Sequence, residues 1–310
     1  MKRIAYPGSK RSAMNNKSDR QLLLMTLLPI IKIFIFSYIP MAGIVIAFQN
    51  YKPKTKFLSE FVGFDNFRYI VSSSNFYRIL FNTLFLNIIF IFSGLIVSIL
   101  LGLLMFEISK KRFLKLTQTV FFFPYFISWT LVSMILLSLL DSRGLVTVLI
   151  QNMTGNVVQF YMESQYWPFI LALTNIWKGA GVGGIIYYAT LMSSDRSIYE
   201  AADIDGANRF QKMRFISLPY LKIMIFVLTV MSFANIMHVD FNMIFFLTRN
   251  SGPLYPTTDV IDTYVFRALR MDGDFSVAAA IGLIQSVAGL VFSFAANQVS
   301  KKLEPKSALF

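Results

Sequence analysis

Long apolar runs alternate with short polar segments along most of this chain. Six runs reach or exceed the ~20 residues that an α-helix needs to cross a hydrocarbon layer: 22–48, 79–106, 116–140, 167–191, 221–247 and 277–296. The pattern predicts an all-α polytopic membrane protein with six transmembrane helices. Polar connections of 49–78, 141–166 and 249–275 alternate with a short basic turn near Lys110–Lys115 and a longer polar stretch at 194–220. Lys32 lies within the first run, which Pro29, Pro40 and Gly43 interrupt; its ammonium is read as snorkelling to the interface.

The 194–220 stretch, SDRSIYEAADIDGANRFQKMRFISLPY, is too hydrophilic for lipid and reads as helix, break, helix. Ser197 stands three residues before Glu200, a capping-box spacing that starts a helix. Ile198, Ala201, Ala202 and Asp205 follow at i, i+3, i+4 and i+7, a small and mostly apolar face. Gly206 can end that helix and turn the chain. Asn208 and Gln211 offer a second capping box, and the second helix is expected to run until Pro219 intervenes.

Composition agrees with a membrane protein: 55% of the 310 residues are apolar, with mean hydropathy +0.59. The net charge of +13 raises nucleic acid as a partner. The bases, however, flank apolar runs instead of forming one patch interleaved with aromatics, so no nucleic-acid role is expected. With the N-terminus inside, the inner tails and loops hold twice as many Lys and Arg as the outer loops, which places both termini and 194–220 in the cytoplasm. The first outer loop, with five bases, runs against that bias. Cysteine is absent, so there is no disulfide framework.

The residues of the polar stretch carry a resemblance. Glu200-Ala201-Ala202, three residues, Gly206, nine residues, Ile216, one residue and Leu218-Pro219 match the EAA loop of ATP-binding-cassette (ABC) importer permeases at every fixed position. FFFPYFISW from Phe121, NIWKGAGVG from Asn175, TDVIDTYVFR from Thr258 and AAAIGLIQSVAGL from Ala278 resemble the carbohydrate-uptake branch, over essentially 20–305. One departure is Gly144-Leu145-Val146-Thr147, where relatives tend to carry Asn last. The resemblance implies a type I ABC importer transmembrane-subunit fold in a bacterial cell membrane. Its expected organisation is a basic tail (1–20), a first transmembrane helix with outer loop (21–78), a transmembrane domain with its EAA loop (79–300) and a second tail (301–310). It further implies a second permease subunit, an ATPase dimer, a solute-binding protein and an oligosaccharide substrate, of complex-glycan or uronate type. Coupling to the ATPase would rest on Tyr199, Glu200, Ala201, Ala202, Asp205, Gly206 and Arg209.

The chain has no G-x-x-x-x-G-K-[ST] sequence, a single histidine and no spacing suited to zinc, so no catalytic residue, metal or cofactor is expected on it. ATP and Mg would belong to the partner ATPase. Polar groups at membrane depth are costly and point to function. Asn235, His238 and Asn242 fall at i, i+3 and i+7 of the fifth run, one face of a continuous helix, with Asp240 off that face. Tyr125 and Trp129 in the third run and Asn175, Trp177 and Lys178 in the fourth complete a candidate substrate path, against the alternative of plain inter-helix bonding or interfacial anchoring. Lys178 could neutralise Asp240. Gly179, Gly181, Gly183 and Gly184 read as close helix packing or a flexible break, and Asp259, Asp262, Asp272 and Asp274 as acids that either pair with a basic rim of a binding protein or are simply solvated. Two other classes stay open on the residues: an ion-coupled secondary carrier, or a non-transporting scaffold or sensor subunit.

Overall fold

The computed structural model describes residues 16–303; the remainder of both tails lies outside the described residues. Among the described residues, six helical stretches are long and apolar enough to cross a membrane: Gln21–Phe48, Ser74–Phe106, Trp129–Thr154, Ser164–Met192, Arg209–Ala234 and Phe275–Lys302. The first comprises α1 (Asn16–Ile33), a π turn (Phe34–Tyr38) and a 3-10 segment (Ile39–Phe48). The wide turn sits just before Pro40, whose ring would clash with a carbonyl one turn back in a regular helix. An antiparallel pair, β1 (Gln49–Asn50) with β2 (Glu60–Phe61), puts Gln49 opposite Phe61, and α2 (Asp65–Ser72) leads into α3 (Ser74–Phe106).

The centre of the molecule is the packing of α3 on α7 (Trp167–Met192). The two helices run parallel, since Ser98 lies by Ala180 and Gly183 while Gly102 lies by Gly184 and Tyr187. Small residues let the backbones approach. A Cβ on Gly102 would come within 2.6 Å of Tyr187 Cβ, and one on Gly184 within 2.9 Å of Leu101 Cβ. One on Gly181 would fall on the Phe121 carbonyl, and one on Gly183 on the Ser98 side chain, whereas Gly179 faces open space. Gly181, Gly183 and Gly184 therefore serve close packing, and the helix is unbroken.

Two expected spans are discontinuous. In place of one helix over 116–140, α4 (Lys111–Phe122) passes into a 3-10 turn (Phe123–Phe126) around Pro124, and α5 (Trp129–Leu140) restarts with Ser128 as its N-cap. The expected loop at 141–166 contains a further helix, α6 (Leu145–Thr154), which completes the third span. Before the fifth span, α8 (Arg196–Ile204) precedes α9 (Arg209–Lys212), and a π turn (Met213–Ser217) joins α9 to α10 (Leu218–Ala234). Pro219 does not stop this helix. It occupies the first turn of α10, where a missing N–H is tolerated after a π turn. The fifth span ends at Ala234, a non-helical turn follows, and α11 (Phe241–Leu247) begins again. Asn235, His238 and Asn242 thus do not share one helical face. The connection between α11 and the sixth span holds α12 (Tyr255–Thr258) and α13 (Ile261–Arg270) before α14 (Phe275–Leu303).

That connection is built on a buried ion pair. Arg267 Nη2 lies 2.5 Å from Asp259 Oδ1, Tyr255 stacks beneath the guanidinium at 4.3 Å, and Asn82 of α3 donates to the Asp259 carbonyl at 3.2 Å. The four aspartates are not a common rim. Asp259 is spent on Arg267, Asp262 accepts the Val239 amide, Asp274 accepts the Val277 amide at the start of α14, and Asp272 stays exposed.

Candidate functional site

The polar loop folds into a rigid helical hairpin. Asp195, not Ser197, caps α8, accepting the Ser197 amide at 2.9 Å, so Glu200 lies one turn inside the helix and makes no capping box. Gly206 closes the helix at φ +77°, a conformation that glycine adopts without Cβ strain. The Ala207 amide reaches back to Ala202 O at 2.9 Å and the Gly206 amide to Asp203 O at 3.2 Å, the double bond of a Schellman ending. The expected Asn208–Gln211 capping box is present in both directions, at 2.9 and 2.7 Å. Lys212 Nζ, 2.6 Å from Asp203 Oδ1, ties the two helices together. Tyr199 fastens the hairpin to the spans: its hydroxyl is 3.0 Å from Ser217 Oγ and its ring 5.3 Å from that of Phe106. Arg209 lies 4.0 Å from Glu107. Outward, Ala201, Asp205 and Gly206 are exposed beside Ile204, 88% exposed, and Phe210, 69% exposed. Such apolar exposure on an otherwise polar loop marks a contact surface.

Away from this hairpin, the interruptions of the third and fifth expected spans meet. Lys178 of α7 directs its ammonium at the carbonyls freed by the break in the third span, donating to Tyr125 O at 2.9 Å, Pro124 O at 3.3 Å and Ile127 O. It also stands 5.0 Å from the Trp129 ring centre and 5.8 Å from that of Tyr125. The Trp129 indole donates to Asp240 Oδ2 at 2.6 Å, while Asp240 Oδ1 accepts the Met243 amide and so caps α11. Tyr125, Trp129, Lys178 and Asp240 therefore form one linked group. Lys178 serves the carbonyls directly, with Trp129 standing between it and the carboxylate.

The turn between α10 and α11 is held from three sides. Asn87 of α3 donates to Ile236 O at 2.7 Å and to His238 O at 3.2 Å. Gln285 of α14 donates to Met237 O at 2.6 Å and lies 3.1 Å from His238 Nδ1. Asp262 of α13 takes the Val239 amide at 2.9 Å and sits 3.4 Å from the same histidine nitrogen. Non-helical backbone at membrane depth persists only where protein or a watered cavity satisfies it; Asn87 and Gln285 do so here. Sequence reading passed over both, although an amide within an apolar run was the available signal.

Asn175 and Asn235 meet in a cavity of about 550 Å³ between α3, α7 and α10. Its wall also carries Ser98, Tyr187, Thr229 and Ser232, none of which the pattern singled out. Asn235 closes α10 by donating to Met231 O at 3.0 Å. Asn242 is exposed in the first turn of α11, and Trp177, 46% exposed, joins neither group. Among the described residues no group of three or more His, Asp or Glu side chains could hold a metal ion.

Interrupted helices whose backbone other elements satisfy, a mostly apolar cavity that carries Asn175 and Asn235, and an exposed helical hairpin define a polytopic membrane transport protein. Residues 94–305 match the model of the binding-protein-dependent transport system inner membrane component family, and the chain belongs to that family. Among its relatives are the Protein LplB of Bacillus subtilis, 33% identical over 93% of this chain and 91% of that one. The polygalacturonan/rhamnogalacturonan transport system permease protein YteP of the same organism is 34% identical over 96% and 94%. A solved bacterial ABC transporter involved in the import of the acidic polysaccharide alginate superposes with a TM-score of 0.84, 34% identity and coverage of 93% and 97%. A second alginate transporter structure, in complex with an alginate pentasaccharide-bound periplasmic protein, gives 0.83 at 34% identity over 93% and 96%.

Proposed function

We propose that this chain is one of two permease subunits of an ATP-driven importer that moves oligosaccharides from a solute-binding protein into the cytoplasm by alternating access. The observation that carries the reading is the hairpin at 194–220. Its capped, cross-linked helices present exposed Ile204 and Phe210, and α9 continues without a break into the fifth span over Arg209–Ala234. A push on the hairpin therefore reaches the non-helical turn at 235–240 through a single rod. In this reading the hairpin rests on a separate ATPase, which alone binds ATP and Mg, and both chain termini share the cytoplasmic side with it.

The substrate path begins at Tyr125, Trp129 and Asp240, passes the His238 turn and opens into the cavity of Asn175 and Asn235. Indole and phenol faces stack on the apolar faces of sugar rings, and the amides and hydroxyls exchange hydrogen bonds with sugar hydroxyls. Lys178 acts indirectly, holding Tyr125 and Trp129 in place. The relatives named for polygalacturonan, rhamnogalacturonan and alginate support an oligosaccharide, of complex-glycan or uronate type, as cargo. Membership of a binding-protein-dependent family favours this reading over an ion-coupled carrier or a scaffold. The test is uptake of labelled oligosaccharides by cells carrying wild type or Gly206→Trp at matched membrane expression, with ATPase co-purification. Loss of both supports coupling through the hairpin; retention of both overturns it.

A further inference from the structure

The first outer connection carries five bases on the side where membrane proteins usually carry few, and its fold gives them a setting. The α3 and α7 helices run parallel, so the β1–β2 hairpin before α3 lies at the end of the molecule opposite the 194–220 hairpin. It leaves the first span directly: Phe48, the last residue of that span, packs on Phe61, Phe64 and Phe67 at ring distances of 6.4, 5.4 and 5.1 Å. Tyr51 anchors its base to the outer end of the sixth span, donating its amide to Ser276 Oγ at 2.9 Å and packing on Phe275.

The tip is ordered by its own bonds. Ser59 Oγ accepts the Lys52 amide at 2.9 Å and donates to Lys56 O at 2.6 Å, and Gln49 Nε2 donates to Phe57 O at 2.9 Å. Lys56 is held at φ +51°, in the left-handed region a non-glycine residue enters only at a cost. The result of that turn is to display Phe57, 57% exposed, and Leu58, 91% exposed, beyond the fold. Lys52, Lys54 and Lys56 flank them, exposed, and among the described residues none has a carboxylate within 4 Å.

We infer that the Gln49–Phe61 hairpin is a membrane-interface anchor, Phe57 and Leu58 entering the outer leaflet while Lys52, Lys54 and Lys56 meet anionic phospholipid headgroups. Two observations select lipid over a protein partner. The hairpin leaves a transmembrane span directly and packs on its last residue, Phe48, through Phe61. The apolar tip directly follows three exposed lysines that lack a carboxylate partner among the described residues; their stems snorkel while their ammonium groups reach phosphates. Each basic residue near an anionic surface favours the bound position by about fivefold.

The chain has no cysteine, so Leu58→Cys gives a single labelling site. The full-length chain would be labelled there with a polarity-sensitive fluorophore and placed in nanodiscs of phosphatidylcholine alone or with phosphatidylglycerol, each doped with lipid brominated near the headgroup. The anchor predicts quenching in the anionic discs and a fall of roughly twofold or more on Lys52, Lys54 and Lys56→Gln or in neutral discs. A label exposed to water in both discs overturns the proposal, as does quenching indifferent to lipid charge and to the lysines. Protection that arises only on adding the solute-binding protein also overturns it and reassigns the hairpin to protein docking. Size-exclusion of every variant checks that the chain remains folded.

Discussion

Lys178 shows how much one side chain can organise. Its ammonium satisfies carbonyls released where Pro124 interrupts the third span, a position that offers no helical donor. Lys178→Met removes a charged donor from several acceptors, and the destabilisation is expected to be roughly 2–4 kcal/mol. Thermal unfolding of the purified protein measures it, and transport should fall together with stability. The Trp129–Asp240 bond makes a separate prediction. In a double-mutant cycle of Trp129→Phe and Asp240→Asn on transport, the two substitutions should couple by about 1–2 kcal/mol, since each removes the same charge-assisted hydrogen bond. A cycle of Lys178→Met with Asp240→Asn should couple less, because Trp129 intervenes.

At the scale of the element, the hairpin is set by its ends. Gly206 sits at positive φ with nothing within 4 Å of a would-be Cβ, so conformation and not space restricts the residue there. Gly206→Asn, which tolerates the left-handed region, should keep substrate-stimulated ATPase activity in the assembled transporter, whereas Gly206→Val should lose most of it at equal expression. At the opposite end of α8, the Ser197 backbone amide, helped by its side chain, holds the Asp195 carboxyl below its ordinary range. A lowered pKa means that the cap is fully present above the ordinary carboxylate range and is lost as the pH falls through the lowered value. The protection factor of the Ser197 amide, its exchange rate relative to the intrinsic rate at each pH, should therefore be high near neutrality and fall in acid, a fall that Asp195→Ala abolishes.

Across the whole molecule, the packing of α3 on α7 joins distant parts of the chain. Gly102, Gly183 and Gly184 set the separation of α3 and α7, and Gly184→Leu should prevent that approach and lower the recovery of folded protein, while Gly179→Ala, facing open space, should be silent. The Asp259–Arg267 pair fixes the connection before α14. Removing one partner leaves a buried charge, so Asp259→Ala should destabilise by about 3–5 kcal/mol. Thermal unfolding with and without Arg267→Met distinguishes the unpaired charge from lost packing.

The six apolar runs, the basic flanks and the unbroken EAA spacing were legible in the sequence because each depends on local composition: lipid demands apolar length, and a hairpin demands caps and a glycine at its turn. The position of a cap was already less secure, since Asp195 and Ser197 are both able to cap and only the entering backbone selects between them. The interruptions at Pro124–Ser128 and Asn235–Asp240 were decided by tertiary structure. A helix within a membrane breaks only where other elements take over its backbone bonds, and those partners, Lys178, Asn87, Gln285 and Asp262, lie tens to hundreds of residues away. Asp259 and Arg267 are only eight residues apart, yet it is the fold of their connection, packed on Asn82 of α3, that buries them as a pair. Periodicity records what each residue does for its own helix; the path through this protein is made where helices give up their own bonds to one another.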